Sequence, residues 1–313
     1  MKPVIIDKSL VGMNFYESAE KKEVFFYVCS LAEAGASYIE LGLEAAVKLP
    51  KPNGSEKYIY RINGAEEHII ANAFEFAYAV VPLKYSFVIP KLTLPVILEI
   101  DVDGADVFET LGLVAGNLDF SRVNMIRLTG NFEPEQLSKI IFDYRRKMVL
   151  PIDVCPKNDR LSALSSAIAA YTANFDSVTV CFGDSDSFAS LEELLIMLSA
   201  VHKIIISRDY LTGICKASLL SAVIAETKIT NLSVMMRKYM YCPLDIENID
   251  GKDGIRRSRP FGQNRFRRVP AVEKAVRALG IEREISESII KALNGCDMGF
   301  PGKAEDSDDR ELQ

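Results

Sequence analysis

The chain has 313 residues, of which 49% are hydrophobic and 26% are charged. This length can supply the core of one large α/β barrel with an appendage, or the cores of two ordinary domains. The formal net charge of -6 argues against a general binder of nucleic acids or anionic membranes, because both need a basic surface. We therefore expect a soluble, cytoplasmic protein that binds neither.

The six cysteines are scattered along the chain without a C-x-x-C pair, which is typical of reduced thiols in a cytosol. At the N-terminus, MKPVIIDKSL has a short apolar run that is followed at once by Asp7 and Lys8. It is too short for a signal sequence or a membrane span, and it predicts a first strand.

Strand-like and helix-like segments alternate over the first two thirds of the chain. The predicted strands are VIIDKSL, YIELGL, YAVVPLKYSFVI, VILEIDV, VNMIRLT, VLPIDVC, SVTVCF and KIIISR. Amphipathic stretches separate them, for example SAEKKEVFFYVCSLAEAGA, AEEHIIANAFEFA, PEQLSKIIFDYRRK, LSALSSAIAAY and SLEELLIMLSAVH. About eight such units favour a closed parallel TIM (β/α)8 barrel over residues 1–208 rather than an open doubly wound sheet.

The last third of the chain has a different pattern. Residues 209–300 predict a small, mainly helical subdomain, and residues 301–313 predict a disordered acidic tail. The subdomain includes a linker at 249–270, which carries six arginines between Arg256 and Arg268. Two interpretations of this linker stay open: a solvated connection, or a cationic surface for coenzyme A phosphates or an acidic partner.

Chemistry in a parallel barrel is carried at the carboxyl ends of the strands. The segment PIDVCPKND ends one predicted strand, which raises the question of what Cys155, Lys157, Asn158 and Asp159 do there. Strand ends converge on a single face, so we expect six side chains around one mouth: Asp7, Glu40, Arg127, Cys155, Lys157 and Thr179.

The order of these segments resembles the homocitrate synthase and isopropylmalate synthase family, which are metal-dependent, acyl-CoA condensing TIM barrels. The resemblance runs over roughly residues 3–296. It is carried by IIDKSL at the first strand, AGASYIELG at the second, PIDVCPKNDRLSALSSAIAA at the predicted sixth and FDSVTVCFGDSDSFASLEEL at the predicted seventh. In the C-terminal part, YCPLDIENIDG, FGQN and AVRALGIEREISESIIKALN are similar to the family's subdomain.

The departures from the family motifs affect its metal site. Where the family's first strand ends in D-x-x-L-R-D-G, Val11 and Gly12 replace the arginine and the metal-binding aspartate. Where the family has the two metal-ligating histidines of H-x-H-N-D, this chain has Cys155 and Lys157. A protonated lysine cannot ligate a cation, so the resemblance implies a degenerate, omega-type member with no metal of its own.

The resemblance also implies which residues to test. It names acetyl-CoA as the co-substrate, and it assigns no cofactor to this chain. Glu40 has an alternative role as a strand-end carboxylate paired with a base, and Cys155 has one as a small buried residue, because no histidine adjoins it. The candidate catalytic residues are Glu40, Lys157 and Thr179, and the candidate substrate-binding residues are Asp7, Arg127 and Asn158.

Three functions stay open at this stage. The chain could be a subunit of a split homocitrate synthase, which converts acetyl-CoA, 2-oxoglutarate and water to homocitrate and CoA for the nitrogenase iron-molybdenum cofactor. Its partner would then be an intact synthase-type subunit, although self-association is an alternative. It could instead be a metal-free lyase or aldolase that forms a Schiff base at Lys157, or a non-catalytic regulatory or assembly barrel.

Overall fold

The computed structural model describes residues 3–15, 19–50, 57–103, 107–117, 120–158, 162–183, 187–202 and 208–224. Eight parallel strands form a closed barrel in chain order. Strand β1 pairs with both β2 and β8, which closes the sheet and confirms the predicted TIM barrel. The strands are β1 (Val4–Asp7), β2 (Tyr38–Leu41), β3 (Tyr58–Arg61), β4 (Tyr78–Pro82), β5 (Val96–Asp101), β6 (Val123–Gly130), β7 (Ile152–Pro156) and β8 (Ser177–Val180).

Helices follow most of the strands. The α-helices are α1 (Lys21–Glu33), α2 (Leu43–Lys48), α3 (His68–Ala73), α4 (Val107–Asn117), α5 (Pro134–Lys147), α6 (Ala163–Thr172), α7 (Leu191–His202) and α8 (Arg208–Ile224). Shorter 3-10 helices occur at Ser9–Val11, Leu83–Lys91 and Phe120–Arg122. No helix in the described part of the chain has the length and apolar character needed to cross a membrane.

The third strand was not predicted, and this changes the strand count. Strand β3 is only YIYR, and the described residues that follow it, such as Asn63 and Gly64, are polar or turn-forming. The segments PIDVC and SVTVCF are therefore β7 and β8, each one place later than predicted. The predicted strand KIIISR falls mainly on residues 203–207, which lie outside the described residues.

Helix α8 packs on α1 at a close crossing. At Gly213 a Cβ atom would lie 2.4 Å from the backbone nitrogen of Ala34, so glycine permits the approach of the two backbones. Most of the predicted C-terminal subdomain, with the arginine-rich linker and the acidic tail, lies outside the described residues. The predicted boundary at residue 208 stays a prediction.

The barrel interior changes from apolar to charged along the strand direction. Ile6, Ile59, Val80 and Ile97 form a buried apolar layer. Val4, Tyr38, Tyr78 and Met125 pack against this layer. Because every second residue of a strand faces the same side, the next inward positions are two residues further along. On five of these strands that position is charged: Lys8, Glu40, Arg61, Glu99 and Arg127.

Candidate functional site

A group of ion pairs, which we call the barrel network, lies inside the barrel. Its members are Glu40, Arg61, Glu99, Arg127 and Asp153. Arg127 is fully buried, and its Nη1 donates to Glu40 Oε2 at 2.5 Å while its Nε donates to Asp153 Oδ2 at 2.5 Å. Arg61 Nη1 donates to Glu40 Oε1 at 3.1 Å and to Glu99 Oε2 at 2.7 Å. Two arginines thus hold three carboxylates from different strands.

Two hydroxyl groups also donate hydrogen bonds to Asp153. Thr179 Oγ1 donates to Asp153 Oδ2 at 2.6 Å, and Ser177 Oγ donates to Oδ1 at 2.8 Å. Together with Arg127, these donors engage both oxygens of a carboxylate that has no exposed surface. The hydroxyl of Thr179, a candidate catalytic residue, is therefore the donor of a structural hydrogen bond.

The arginines also set the ionisation of the network. Burial alone would raise the pKa of Glu40, but the guanidinium groups of Arg127 and Arg61 outweigh it and lower the pKa. For Glu99, burial again acts upwards, while the hydrogen bond and charge of Arg61 lower the pKa to about 2. Both carboxylates are ionised at neutral pH and bound to arginine, which makes them weak general bases.

Lys157 belongs to a separate cluster at the rim of the barrel. Its Nζ donates to Asp101 Oδ2 at 2.8 Å and to Asp103 Oδ2 at 2.6 Å. Partial burial acts to lower its pKa, but the hydrogen bonds to Asp101 and Asp103 outweigh it and raise the pKa above the usual value. A Schiff base requires a neutral amine, so this environment opposes that role.

Lys8 follows β1 and points into the barrel, a position that the sequence did not single out. Its Nζ lies 3.8 Å from Cys155 Sγ and 3.9 Å from the centre of the Phe188 ring. Burial raises the pKa of the Cys155 thiol although Lys8 and Arg127 act to lower it. The thiol is therefore protonated at neutral pH. This state and its full burial agree with the interpretation of Cys155 as a small buried residue.

Five of the six residues expected around one mouth share the inward face of the barrel, and Asp7 is the exception. Successive side chains of a strand point to opposite faces, so Asp7 faces outward while Ile6 and Lys8 face inward. Asp7 Oδ1 accepts hydrogen bonds from the Ser9 N–H at 3.0 Å and the Ser9 hydroxyl at 2.6 Å. The expectation that Asp7 lines the mouth is wrong.

Asn158, a candidate substrate-binding residue, is engaged within the chain. Its Oδ1 accepts a hydrogen bond from the Ala163 N–H at 3.3 Å, at the start of α6. Its own backbone N–H donates to the carbonyl of Ser187 at 2.9 Å. The neighbouring Asp159 lies outside the described residues.

Sequence reasoning missed four members of this interior: Lys8, Arg61, Glu99 and Asp153. The period of two along a strand was a usable signal for Asp153, which precedes Cys155 by two residues, and for Glu99, which precedes Asp101 by two. Arg61 was missed because β3 itself was missed.

Within the described ranges, no three or more His, Cys, Asp and Glu side chains are grouped so that they could hold a metal ion. The carboxylates of the barrel network instead face arginine donors. His68 Nδ1 lies 2.9 Å from the Ala65 carbonyl oxygen, and the side chain of His202 lies outside the described set. That the chain holds no metal stays a prediction.

Comparison with protein-family models gives no match. The omega subunit of homocitrate synthase from Clostridium pasteurianum is 26% identical to this chain over 227 residues. The matched region covers 67% of this chain and 62% of that protein. The chain thus spans less than two thirds of the length of this curated relative.

Solved structures match the barrel at low identity. An HMG-CoA lyase from Acinetobacter baumannii, in complex with coenzyme A and 3-methylmalate, has a TM-score of 0.57 and 13% identity, covering 75% of this chain and 92% of that chain. The HMG-CoA lyase from Bacillus subtilis has a TM-score of 0.54 and 12% identity, covering 76% and 95%. Likeness at this identity establishes the fold and leaves function to be argued from the site.

Proposed function

We propose that this chain, whose motifs and curated relative both point to the homocitrate synthase family, is the non-catalytic subunit of a two-chain homocitrate synthase. The complex would convert acetyl-CoA, 2-oxoglutarate and water to homocitrate and CoA. An intact synthase-type chain would be the partner and would carry the reacting groups. Because homocitrate is an organic ligand of the nitrogenase iron-molybdenum cofactor, we further propose a role in making that cofactor.

The observation that carries this proposal is the pairing of charges inside the barrel. A condensing site needs a base that removes a methyl proton from the thioester and donors that hold the keto acid. Here Glu40, Glu99 and Asp153 are each bound to a guanidinium group, and Arg127 is fully buried among them. The side chains that could do this work are bound to one another instead.

The family's divalent metal does not fit this interior. In the family it would hold the keto acid as a Lewis acid. In this chain the network carboxylates face two guanidinium groups, and the ammonium of Lys8 lies beside Cys155. The carboxylates that a divalent cation would need are already bound to guanidinium groups, and with Lys8 the interior sums to zero charge, so it offers no net attraction for a further cation.

The proposal is tested by co-expressing this chain with an intact homocitrate synthase-type chain encoded near it. We expect the two chains to co-elute on gel filtration. We also expect acetyl-CoA-dependent release of free thiol with 2-oxoglutarate to exceed that of the partner alone. This chain by itself should release none.

Other outcomes separate the remaining functions. Equal turnover with and without this chain, together with no co-elution, would contradict the split synthase and favour a separate regulatory barrel. Strong turnover by this chain alone would contradict the assignment of chemistry to the partner. A chain that elutes only as a self-associated species would point to the isologous interface that a closed dimer permits.

The alternative of a Schiff-base lyase or aldolase has geometry against it. Lys157 Nζ is bound to two carboxylates at 2.6 and 2.8 Å, and its pKa is raised rather than lowered, because these hydrogen bonds outweigh its partial burial. Incubation with 2-oxoglutarate and borohydride should therefore leave the mass of the chain unchanged, since no imine forms at a protonated amine.

A further inference from the structure

Lys8 carries a buried ammonium group with few partners in the described part of the chain. The residue is 6% exposed, and its Nζ contacts Cys155 Sγ at 3.8 Å and the face of the Phe188 ring at 3.9 Å. Among the described residues no carboxylate or carbonyl oxygen accepts a hydrogen bond from it. An ammonium has three N–H donors, so this is an unusual environment for a lysine.

The charge of Lys8 is explained by the barrel network, which shares the inward face of the barrel with it. The network has three carboxylates, Glu40, Glu99 and Asp153, and two guanidinium groups, Arg61 and Arg127. Its sum is therefore one negative charge, and an unbalanced charge is costly in a barrel interior. The positive charge of Lys8 brings the sum to zero.

Glu40 and Glu99 are the ionised groups that hold the proton on Lys8. Burial acts to lower the pKa of the ammonium, but the ionised carboxylates of Glu40 and Glu99 act to raise it, and the pKa lies above its usual value. The Cys155 thiol, which burial keeps protonated, contributes a contact and no charge.

The position of this ammonium matters as much as its charge. It lies at the carboxyl ends of the strands, beside Cys155, which stands where the resembling family has a metal-ligating histidine. We propose that Lys8 is a built-in cation that takes the place of the divalent metal at the barrel mouth. The charge that a metal would supply is then part of the polypeptide, and neither folding nor partner binding needs a metal on this chain.

The test compares Lys8→Met, which keeps an unbranched stem and removes the charge, with Lys216→Met. Lys216 is the matched control, because it pairs with Glu33 at 2.9 Å outside the barrel. Melting temperatures are measured in EDTA and in millimolar Mn²⁺. For the wild type we expect the same value in both, and no loss of the free Mn²⁺ signal in electron paramagnetic resonance. Lys8→Met should melt lower by about 5 °C or more, and Lys216→Met by less than about 3 °C.

Two results would overturn the proposal. One is a wild-type chain that binds about one Mn²⁺ or melts lower in EDTA, because a built-in cation leaves no need for the metal. The other is a Lys8→Met variant that melts with the wild type, because the charge would then balance nothing. If Lys8→Met does not fold, the Mn²⁺ titration of the wild type decides alone.

Discussion

At the scale of single residues, the contrast between Arg127 and Arg145 separates buried from exposed ion pairs. Arg127 is fully buried between Glu40 and Asp153, and its Nη2 has no hydrogen-bond partner among the described residues. Arg145 pairs with Asp176 at 3.2 Å, and its side chain is 52% exposed. Desolvation makes the first arrangement costly to assemble and far more costly to break, while water screens the second.

Replacing Arg127 with methionine should therefore cost about 3–5 kcal/mol of the free energy of unfolding, since it leaves carboxylates buried without their counter-charge. Replacing Arg145 with methionine should cost less than about 1 kcal/mol. Urea denaturation of both variants measures the difference. Equal losses would show that the barrel network is open to water, against its burial here.

Asp7 and Glu192 make the free energy of unfolding depend on pH. Burial raises the pKa of Asp7 from 3.8 to about 7, despite its hydrogen bonds from Ser9, and burial raises the pKa of Glu192 to about 7 as well. Between about pH 4 and pH 7 the folded chain keeps these protons while the unfolded chain loses them. The free energy of unfolding contributed by both groups therefore falls as the pH rises through this window.

Asp7→Asn should flatten that decline. Asparagine keeps an oxygen for the Ser9 donors and carries no charge, so above pH 7 the variant should melt higher than the wild type by several degrees. Melting temperatures are recorded from about pH 5 to pH 8. Glu135→Gln, at an exposed position of α5, is the control and should parallel the wild type. A slope unchanged by Asp7→Asn would refute the buried-carboxyl account.

The candidate site could be predicted only in part from the sequence. Position on a strand identified Glu40, Arg127, Cys155, Lys157 and Thr179 as inward-facing, because strand ends meet at one mouth. Position on a strand does not indicate which ion-pair and hydrogen-bond partners these residues have. The pairing of Arg127 with Glu40 joins residues 87 positions apart, and nothing local in the sequence encodes that distance. Asp7 was misplaced by one step of the strand period, which turns a side chain to the opposite face.

At the scale of secondary structure, prediction succeeded where an element has a long periodic pattern. Helix α5, with PEQLSKIIFDYRRK, begins with Pro134 in its first turn and ends in basic residues, and its bounds follow the predicted stretch. Strand β3 was missed although β1, β2 and β8 are as short, because its YIYR ends in a charged residue and runs into the polar and turn-forming Asn63 and Gly64. Helix α2, with six residues, was also missed.

The close crossing of α1 and α8 depends on Gly213, which has no side chain. At Gly213 a Cβ would lie 2.4 Å from the Ala34 nitrogen and 2.7 Å from the Glu33 carbonyl carbon. Gly213→Ala should therefore destabilise the fold by about 1–3 kcal/mol, although alanine favours a helix. Gly112→Ala in α4 is the matched control, because no atom of the described residues lies within 4 Å of its added Cβ, and it should stabilise by up to about 1 kcal/mol. Chemical denaturation checks both, and a stabilising Gly213→Ala would mean that the two helices lie further apart.

At the scale of the whole molecule, the barrel combines an apolar layer and a charged layer inside one closed sheet. The charged layer is what a catalytic barrel would direct at its substrate. Here its groups satisfy one another, with Glu40, Glu99 and Asp153 matched by Arg61 and Arg127 and balanced by Lys8. A barrel with such an interior can contribute to a complex through its surface while the chemistry takes place on another chain.

The proposed division of labour predicts how the proposed two-chain complex responds to a change at the barrel mouth. Lys157→Met removes the rim ammonium, and the carboxylates of Asp101 and Asp103 that it leaves behind are 58% and 34% exposed, so water can solvate them. If the chemistry belongs to the partner, thiol release by the co-purified complex should stay within about twofold of the wild type, as it should for Lys139→Met on the surface of α5. A loss of tenfold or more, about 1.4 kcal/mol of transition-state stabilisation, in a complex that still elutes intact would place Lys157 in the reaction and contradict a non-catalytic barrel.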